Sequence, residues 1–485
     1  MLLEQLIKGL DIKSIRGNKE QEISGIAVDS RRVRKGHLFV CIEGFKDDGH
    51  QYIPTAIENG ATALLVQKEV ENIPENIAVI RMDNTRYGLA YISDIFYDHP
   101  SRKFNLIGIT GTKGKTTTTH MIKAILEEEK KLVGLIGSIA NKIGDQVLPS
   151  ERTTPESLEL QSLFANMAEK KVDSVVMEVS SQGLELHRAS CCDFDIGAFT
   201  NLTQDHISPH EHASMEDYFN AKLKLFGMCR KALVNIDSPY GKRVIAAAKC
   251  EVLTYGIEGD ADIKAVNIVT HSDSVDFDVI TPKETYSAKV PIPGLFSVYN
   301  ALTAIGVATI MGIEKKHILQ GLLKVVVQGR AEVIARRENF TVMTDYAHTP
   351  DSLKNILQTV KDFAKGRTVC VFGCGGDRDR TKRPLMGEIA GNIADFTIIT
   401  SDNPRTETPE AIVSDIEEGI KRTSGEYIKI VDRRSAIKYA LENSRREDII
   451  VLAGKGDETY QIFKDKTIRF DEREVVSELL KELGI

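Results

Sequence analysis

The sequence predicts an α/β fold divided among three domains with mostly parallel sheets, and three observations point there. The chain has 485 residues, which at about 150 residues per domain is more than one hydrophobic core accommodates. Short β-branched runs alternate with longer helical patterns, the signature of βαβ units. The clearest strands, 105–109, 174–178, 368–372 and 396–400, each stop where polar or glycine residues begin, and open α/β sheets gather ligands at the carboxyl ends of their strands. Turn-forming stretches at 98–102 and 328–330 place the boundaries. They give an N-terminal domain over 1–100, a central domain over 101–329 and a C-terminal domain over 330–485. Residues 36–44 have a strand-turn pattern, and 260–280 alternate with period two, as an antiparallel excursion would.

Hydrophobic residues at 42% and charged residues at 27% suit a soluble globular protein. A net charge of −7 argues against broad attraction to nucleic acid or an anionic membrane, so an anion would have to be captured locally. The N-terminus meets Glu4 early, and nothing approaches a run of about 18 apolar residues, so neither a signal peptide nor a membrane anchor is expected. Cys41, Cys191, Cys192, Cys229, Cys250, Cys370 and Cys374 lack C-x-x-C spacing and read as reduced thiols of a cytoplasmic protein.

The strongest single signal is Thr110-Gly-Thr-Lys-Gly-Lys-Thr-Thr117, between an apolar strand and the helix-compatible run 118–126. Its glycines let backbone N–H groups approach an anion, the helix N-terminus adds partial positive charge, and Lys115 adds a full one. Thr116 can offer its hydroxyl to Mg2+. The spacing is the short G-x-x-G-K-T rather than G-x-x-x-x-G-K-[ST]. A GTPase would need Asn-Lys-x-Asp, and the look-alike at 141–144 has Gly144 in place of the carboxylate.

Mg2+ takes hard oxygen ligands and few protein carboxylates, so Glu178 at a strand end is a natural candidate. The segment 199–212 concentrates Asp205, His206, His210, Glu211 and His212. It reads as a nucleotide-Mg2+ site, a solvated loop or, less readily because Pro209 interrupts helical spacing, a zinc site.

Taken together, Gly111 to Thr116, Glu178-Val-Ser-Ser-Gln-Gly-Leu184, Thr200-Asn-Leu-Thr-Gln-Asp-His206, Tyr218 to Phe226, Thr344-Asp-Tyr-Ala-His-Thr-Pro350 and Asp402-Asn-Pro-Arg405 closely resemble the Mur ligase family, in order and over almost the whole chain. Within it the chain is similar to members that add meso-2,6-diaminopimelate to UDP-N-acetylmuramoyl-L-alanyl-D-glutamate. The resemblance implies an N-terminal UDP-sugar domain, a central ATPase domain and a Rossmann-like C-terminal domain that brings the amino acid. It implies small-molecule substrates only, ATP with Mg2+, a cytoplasmic location and a monomer. The D-glutamate γ-carboxylate would be phosphorylated by ATP, and the incoming amine would attack the acyl phosphate.

By the same resemblance, Gly111, Thr112, Lys113, Gly114, Lys115, Thr116 and Thr117 hold the ATP phosphates, with Asn300, Arg330, Asp345 and His348 around the nucleotide and the domain junction. Lys115, Glu178, His206 and Lys222 form the catalytic set; Thr116, Glu178, His206 and a carbamylated Lys222 are the metal ligands. Read alone, Lys222 is a surface lysine pairing along a helix face. Ser30, Thr153, Thr154, Ser180, Arg188 and Lys222 match contacts to the UDP-muramoyl-peptide; read alone, Ser30 and Thr154 are turn or cap residues.

Arg378, Asp402, Asn403, Pro404, Arg405, Gly454 and Glu458 match a diaminopimelate pocket, although Asn-Pro in isolation is a turn former. Diaminopimelate carries a second carboxylate that lysine lacks, and an Arg405 fork would read it bidentately while Glu458 pairs the distal ammonium. The alternatives are a lysine-adding member of the family, a folylpolyglutamate synthetase, or a phosphate-loop nucleotide switch.

Overall fold

The computed structural model describes residues 1–485 apart from Lys46, His206, Ser208, Pro209, His210 and Ser272. It packs as two compact units, Met1–Asp262 with Thr303–Glu314, and Ile263–Leu302 with Lys315–Ile485.

The first unit opens with a five-stranded sheet in the order Ser14–Arg16, Ala78–Arg81, Ala61–Val66, His37–Val40, Gly25–Ala27. Neighbours run parallel except at Ser14–Arg16. Side chains alternate across a strand. Leu38 and Leu65 therefore join Leu3, Leu6 and Ile92 in one core, while Phe39 and Leu64 join Ile53 and Val79 in another. The expected boundary region bends through Asp98 and His99, both left-handed, into a short 3-10 turn Pro100–Arg102.

A second sheet follows, with parallel strands in the order Val133–Ile136, Ser174–Glu178, Asn105–Thr110, Phe194–Phe199, Cys229–Asn235, Glu251–Gly256. An antiparallel hairpin, Asn141–Ile143 and Gln146–Leu148, extends it beyond Val133–Ile136. Leu106, Phe164, Val175, Met177, Phe194 and Phe226 are buried in its core; such side chains contribute about 1.5–3 kcal/mol each on leaving water. From Asn105–Thr110 the chain first builds to one side and then to the other, so a topological switch point lies at that strand's carboxyl end. Register pairs Glu178 with Ile109 and Phe199 with Thr110. Three loops, after residues 110, 178 and 199, thus emerge side by side. Cys229 and Cys250, unpaired in the sequence reading, bring their sulfurs to 3.7 Å as free thiols.

In the second unit, Ile263–Thr270, Val275–Ile280 and Thr285–Val290 form the expected antiparallel excursion, with a register shift between Val266 and Val269. A six-stranded sheet runs Glu332–Arg336, Phe340–Asp345, Asp448–Ala453, Thr368–Phe372, Phe396–Ile399, Tyr427–Lys429. It is parallel except at its first pair. Ala453 lies level with both Asp345 and Phe372, and Phe372 with Ile399, so the loops after these strands leave from one edge. On its flank, helices Lys382–Ile393 and Pro409–Ile420 meet backbone to backbone: a Cβ on Gly419 would fall 1.7 Å from Pro384 O, and one on Gly387 2.1 Å from Ile416 O. Among the described residues no helix is long and apolar enough to cross a membrane.

Candidate active site

The phosphate loop sits where the sheet order reverses. Gly111 adopts φ 152° and Gly114 φ 87°. A Cβ on Gly111 would lie 1.9 Å from Thr200 Oγ1, so only glycine fits there. The helix Lys115–Glu128 begins three residues earlier than the apolar pattern suggests, and its N-cap Gly114 offers no side-chain acceptor. The helix N-terminus thus directs its partial positive charge and leading N–H groups at the loop, the arrangement that suits an anion.

The 200–203 stretch braces this loop. Asn201 O accepts from Thr112 N and Asn201 Oδ1 from Lys113 N, both at 2.9 Å, while Thr200 Oγ1 donates to Lys113 O at 2.8 Å. Thr112 Oγ1 meets the Tyr218 hydroxyl at 3.1 Å, and Lys113 pairs with Asp205 at 3.1 Å.

Lys115 and Lys222 both donate to Gly111 O, at 2.8 and 2.9 Å. Lys222 is on helix Met215–Leu223 but only 2% exposed, with its amine 4.5 Å from the Tyr218 ring centroid. The surface-lysine reading is therefore wrong, because the side chain points inward to the loop rather than along the helix face. Burial, and then the Lys115 charge, hold its amine well below the ordinary lysine value.

Glu178 is buried at its strand end. Thr116 Oγ1 donates to its Oε1 at 3.0 Å, as does Ser138 N at 2.9 Å. Ser138 Oγ reaches Oε2 at 3.2 Å and Thr153 Oγ1 at 2.9 Å. Thr154 Oγ1 donates to Glu178 O at 3.0 Å and meets Ser180 Oγ at 3.1 Å. Arg188 donates to Thr154 O at 3.4 Å and lies 2.9 Å from Glu156; burial lowers its guanidinium. Thr153, Thr154, Ser180 and Arg188 thus gather around Glu178.

Thr154 is no helix cap; Ser180 caps Ser181–Glu185 instead. Ser30 opens a separate 3-10 turn, capped by Asp29 rather than by itself. Arg31 beside Asp29 holds that carboxyl down at about 2.

His206 lies outside the described residues. His212 is buried against Ser181 Oγ at 2.9 Å and Asp217 at 3.3 Å. Among the described residues no three His, Cys, Asp or Glu converge as a metal-ligand set. Mg2+ takes hard oxygens and usually one or two carboxylates, so the Thr116 hydroxyl beside the Glu178 carboxylate is a donor pair that fits it.

In the second unit, the Arg330 guanidinium lies 4.3 Å from the Tyr346 ring centroid. Asp345 accepts from Ala331 N at 2.7 Å, His348 Nδ1 lies 2.7 Å from Tyr346 O, and Asn300 is buried on helix Leu295–Ile310. Across the sheet edge, Asn403 Nδ2 donates to Glu458 Oε2 at 2.8 Å, and Asn403 Oδ1 accepts from Ile462 N at 3.0 Å. Asp402, Asn403 and Pro404 are buried. Arg405, at φ 53°, donates to Gly376 O at 2.8 Å, while Arg378 is exposed. A Cβ on Gly454 would come 2.8 Å from Asp402 Oδ2. Asn-Pro therefore forms a turn and Asn403 also joins a polar cluster, so the two readings coexist.

Sequence reasoning missed Ser138 and Lys455. Nothing marks Ser138, whereas Lys455 sits between Gly454 and Gly456, a spacing that brings backbone close and could have drawn attention.

A braced phosphate loop beside an acidic strand end, in a chain with a second parallel-sheet unit carrying a buried polar cluster, defines a multi-unit α/β protein of phosphate-transfer type. Residues 22–100 match the Mur ligase family, catalytic domain; residues 109–308 the Mur ligase middle domain; and residues 329–456 the Mur ligase, glutamate ligase domain. The chain is 50% identical over 483 residues, 99% of each protein, to UDP-N-acetylmuramoyl-L-alanyl-D-glutamate--2,6-diaminopimelate ligase of Caldanaerobacter subterraneus subsp. tengcongensis. It is 48% identical over 488 residues, 100% of each, to the protein of the same name from Clostridium botulinum. A solved structure of a ligase with that name superposes with a TM-score of 0.73 at 29% identity, covering 100% of this chain and 99% of its own. The chain belongs to the Mur ligase family.

Proposed function

We propose that this protein is an ATP-dependent ligase that joins meso-2,6-diaminopimelate to UDP-N-acetylmuramoyl-L-alanyl-D-glutamate in cytoplasmic peptidoglycan precursor synthesis, acting as a monomer. Full-length likeness to ligases named for these substrates carries the reading. Residues 1–100 take the UDP-sugar, 101–329 the ATP and 330–485 the amino acid.

A carboxylate is a poor electrophile until one of its oxygens becomes part of a leaving group. A γ-carboxylate oxygen of D-glutamate attacks the terminal phosphorus of ATP, and ADP departs. The amine then attacks the acyl carbon, and the tetrahedral adduct expels inorganic phosphate. Phosphoryl transfer of this kind needs chiefly positioning and charge neutralisation.

Gly111 to Thr117 cradle the phosphates with backbone N–H groups, Lys115 adds charge, and Asn300, Arg330, Asp345 and His348 serve the nucleotide. Thr116, Glu178, His206 and Lys222 as a carbamate would hold Mg2+, which when bound neutralises phosphate charge. For the carbamate, the neutral Lys222 nitrogen attacks the carbon of CO2, an N–C bond forms and a proton leaves. Its burial and its proximity to Lys115 favour the neutral amine that this step requires. Ser30, Thr153, Thr154, Ser180 and Arg188 orient the UDP-muramoyl-peptide, with hydroxyls and a guanidinium suited to pyrophosphate and carboxylate.

Arg378, Asp402, Asn403, Pro404, Arg405, Gly454 and Glu458 line the amino-acid pocket. Arg405 reads the distal carboxylate, and a lysine substrate would leave that guanidinium unpaired. A substrate panel tests this: ADP formation with the UDP-dipeptide is expected with diaminopimelate and not with lysine, ornithine or glutamate. Arg405→Ala is expected to lose diaminopimelate use while still binding ATP. Equal turnover of lysine and diaminopimelate by the unaltered protein would sink the reading.

A further inference from the structure

The polar cluster at the carboxyl edge of the second unit's sheet holds a lysine to which the mechanism above gives no task. Lys455 has no exposed side-chain surface. Its ammonium lies 3.2 Å from Glu458 Oε2, 3.3 Å from Asn403 Oδ1 and 3.4 Å from Asp402 Oδ1. The loop that carries it is pressed inward. Gly454 and Gly456 both have positive φ, at 116° and 56°, and a Cβ on Gly456 would lie 2.8 Å from the Tyr346 backbone nitrogen. Such geometry aims the side chain at Asp402, Asn403 and Glu458 rather than at solvent.

Charge bookkeeping gives the cluster a purpose. Asp402 and Glu458 supply two carboxylates. The other buried cation nearby, Arg433, is held by Glu472 at 2.6 Å. Lys455 therefore offsets one carboxylate and leaves one negative charge. A buried site with two uncompensated carboxylates takes up a proton instead of a ligand cation, whereas a site with one is matched to a single ammonium.

We infer that Lys455 is a positioning residue for the amino-acid substrate: lying between Glu458 and Asp402, it offsets one charge of this carboxylate pair and holds Asn403 and Glu458 in register, so that the pair keeps a single negative charge for the substrate's ammonium. This inference rests on the function proposed above and deepens it. Glu458 is faced by Lys455 from its own loop, by Asp402 and Asn403 from the loop after Phe396–Ile399, by Tyr346 from the loop after Phe340–Asp345, by Tyr460, and by the Arg433 charge. Burial and Asp402 both push its carboxyl upward, and Lys455 pulls it back.

Lys455→Met is expected to raise KM for diaminopimelate about tenfold or more while KM for ATP stays within about twofold. The acid limb of kcat/KM for diaminopimelate should also move to higher pH. In the double variant Asp402→Asn/Lys455→Met the charge count returns to one, and the acid limb is expected to move back toward that of the unaltered protein. Three results would overturn the inference: an unchanged KM for diaminopimelate in the single variant, a parallel rise in both KM values, or a folded double variant whose acid limb stays where the single variant's lies. Should neither variant fold, calorimetric titration of diaminopimelate into the unaltered protein decides. Affinity that holds from about pH 8 to about pH 6 supports the inference, and a loss anywhere in that range overturns it. Unaltered protein that forms no ADP with diaminopimelate would instead sink the proposed function itself.

Discussion

Lys115 and Lys222 bring two amines to one carbonyl oxygen, and in a buried setting both cannot stay charged cheaply. A lysine whose folded amine is held below its ordinary 10.5 binds fewer protons folded than unfolded, so folding gains stability as pH rises toward 10.5. In CO2-depleted buffer, urea melts of the wild type should show that rise, and Lys222→Met should lose it. The same variant is expected to be no less stable than wild type at neutral pH, because a buried amine is replaced by an apolar chain of similar length. ADP formation should nevertheless fall by at least about a hundredfold, a loss of about 2.7 kcal/mol in transition-state stabilisation. A stable but fully active Lys222→Met would remove this residue from the catalytic set. The phosphate loop was legible in the sequence because Gly111, Gly114 and Lys115 satisfy a local requirement for close backbone and charge. The surroundings of Lys222 and Lys455 were not, since burial of a lysine depends on acceptors brought together from distant parts of the chain.

The paired helices beside the C-terminal sheet depend on two kinds of contact, one steric and one electrostatic. Gly419→Ala would drive a methyl group into Pro384 O, and the helices must separate to relieve it. A loss of about 1–3 kcal/mol is expected in denaturant melts, the size of an overpacked core site. Arg383, with no exposed side-chain surface, is clamped by Glu407 at 2.7 and 2.8 Å and by Asp415 at 2.8 Å, and it donates to Gly375 O at 3.2 Å. Arg383 beside Glu407 holds that carboxyl down at about 2, from an ordinary 4.5. This contribution is complete above pH 4.5 and lost as pH falls toward 2. Glu407→Gln should cost about 3 kcal/mol at neutral pH, and the gap between variant and wild type should close across that acid window. A gap that stays constant with pH would show the clamp to be packing alone. Strands 174–178 and 368–372 were readable to the residue because continuous apolar runs mark strands buried on both faces. The helix-to-helix glycines were not, because a glycine in a helical pattern gives no sign of what approaches it.

For the molecule as a whole, the proposed reaction makes a prediction about atoms. With 18O in the γ-carboxylate of the acceptor, one labelled oxygen should appear in the inorganic phosphate released, as mass spectrometry would read. Unlabelled phosphate would exclude an acyl phosphate and with it the ligase chemistry assigned here. The α/β class and the order of the motifs were legible from end to end because each lies in a contiguous stretch. What the letters withheld is the state of the ionisable groups once folded. Counted residue by residue, the chain carries −7. The crowding at Gly111 O makes that sum overstate the folded chain's positive charge as pH rises toward 10.5, because the Lys222 amine gives up its proton earlier than an ordinary lysine. In that alkaline range the native protein should therefore run toward the anode faster than its composition dictates, and urea should abolish the difference.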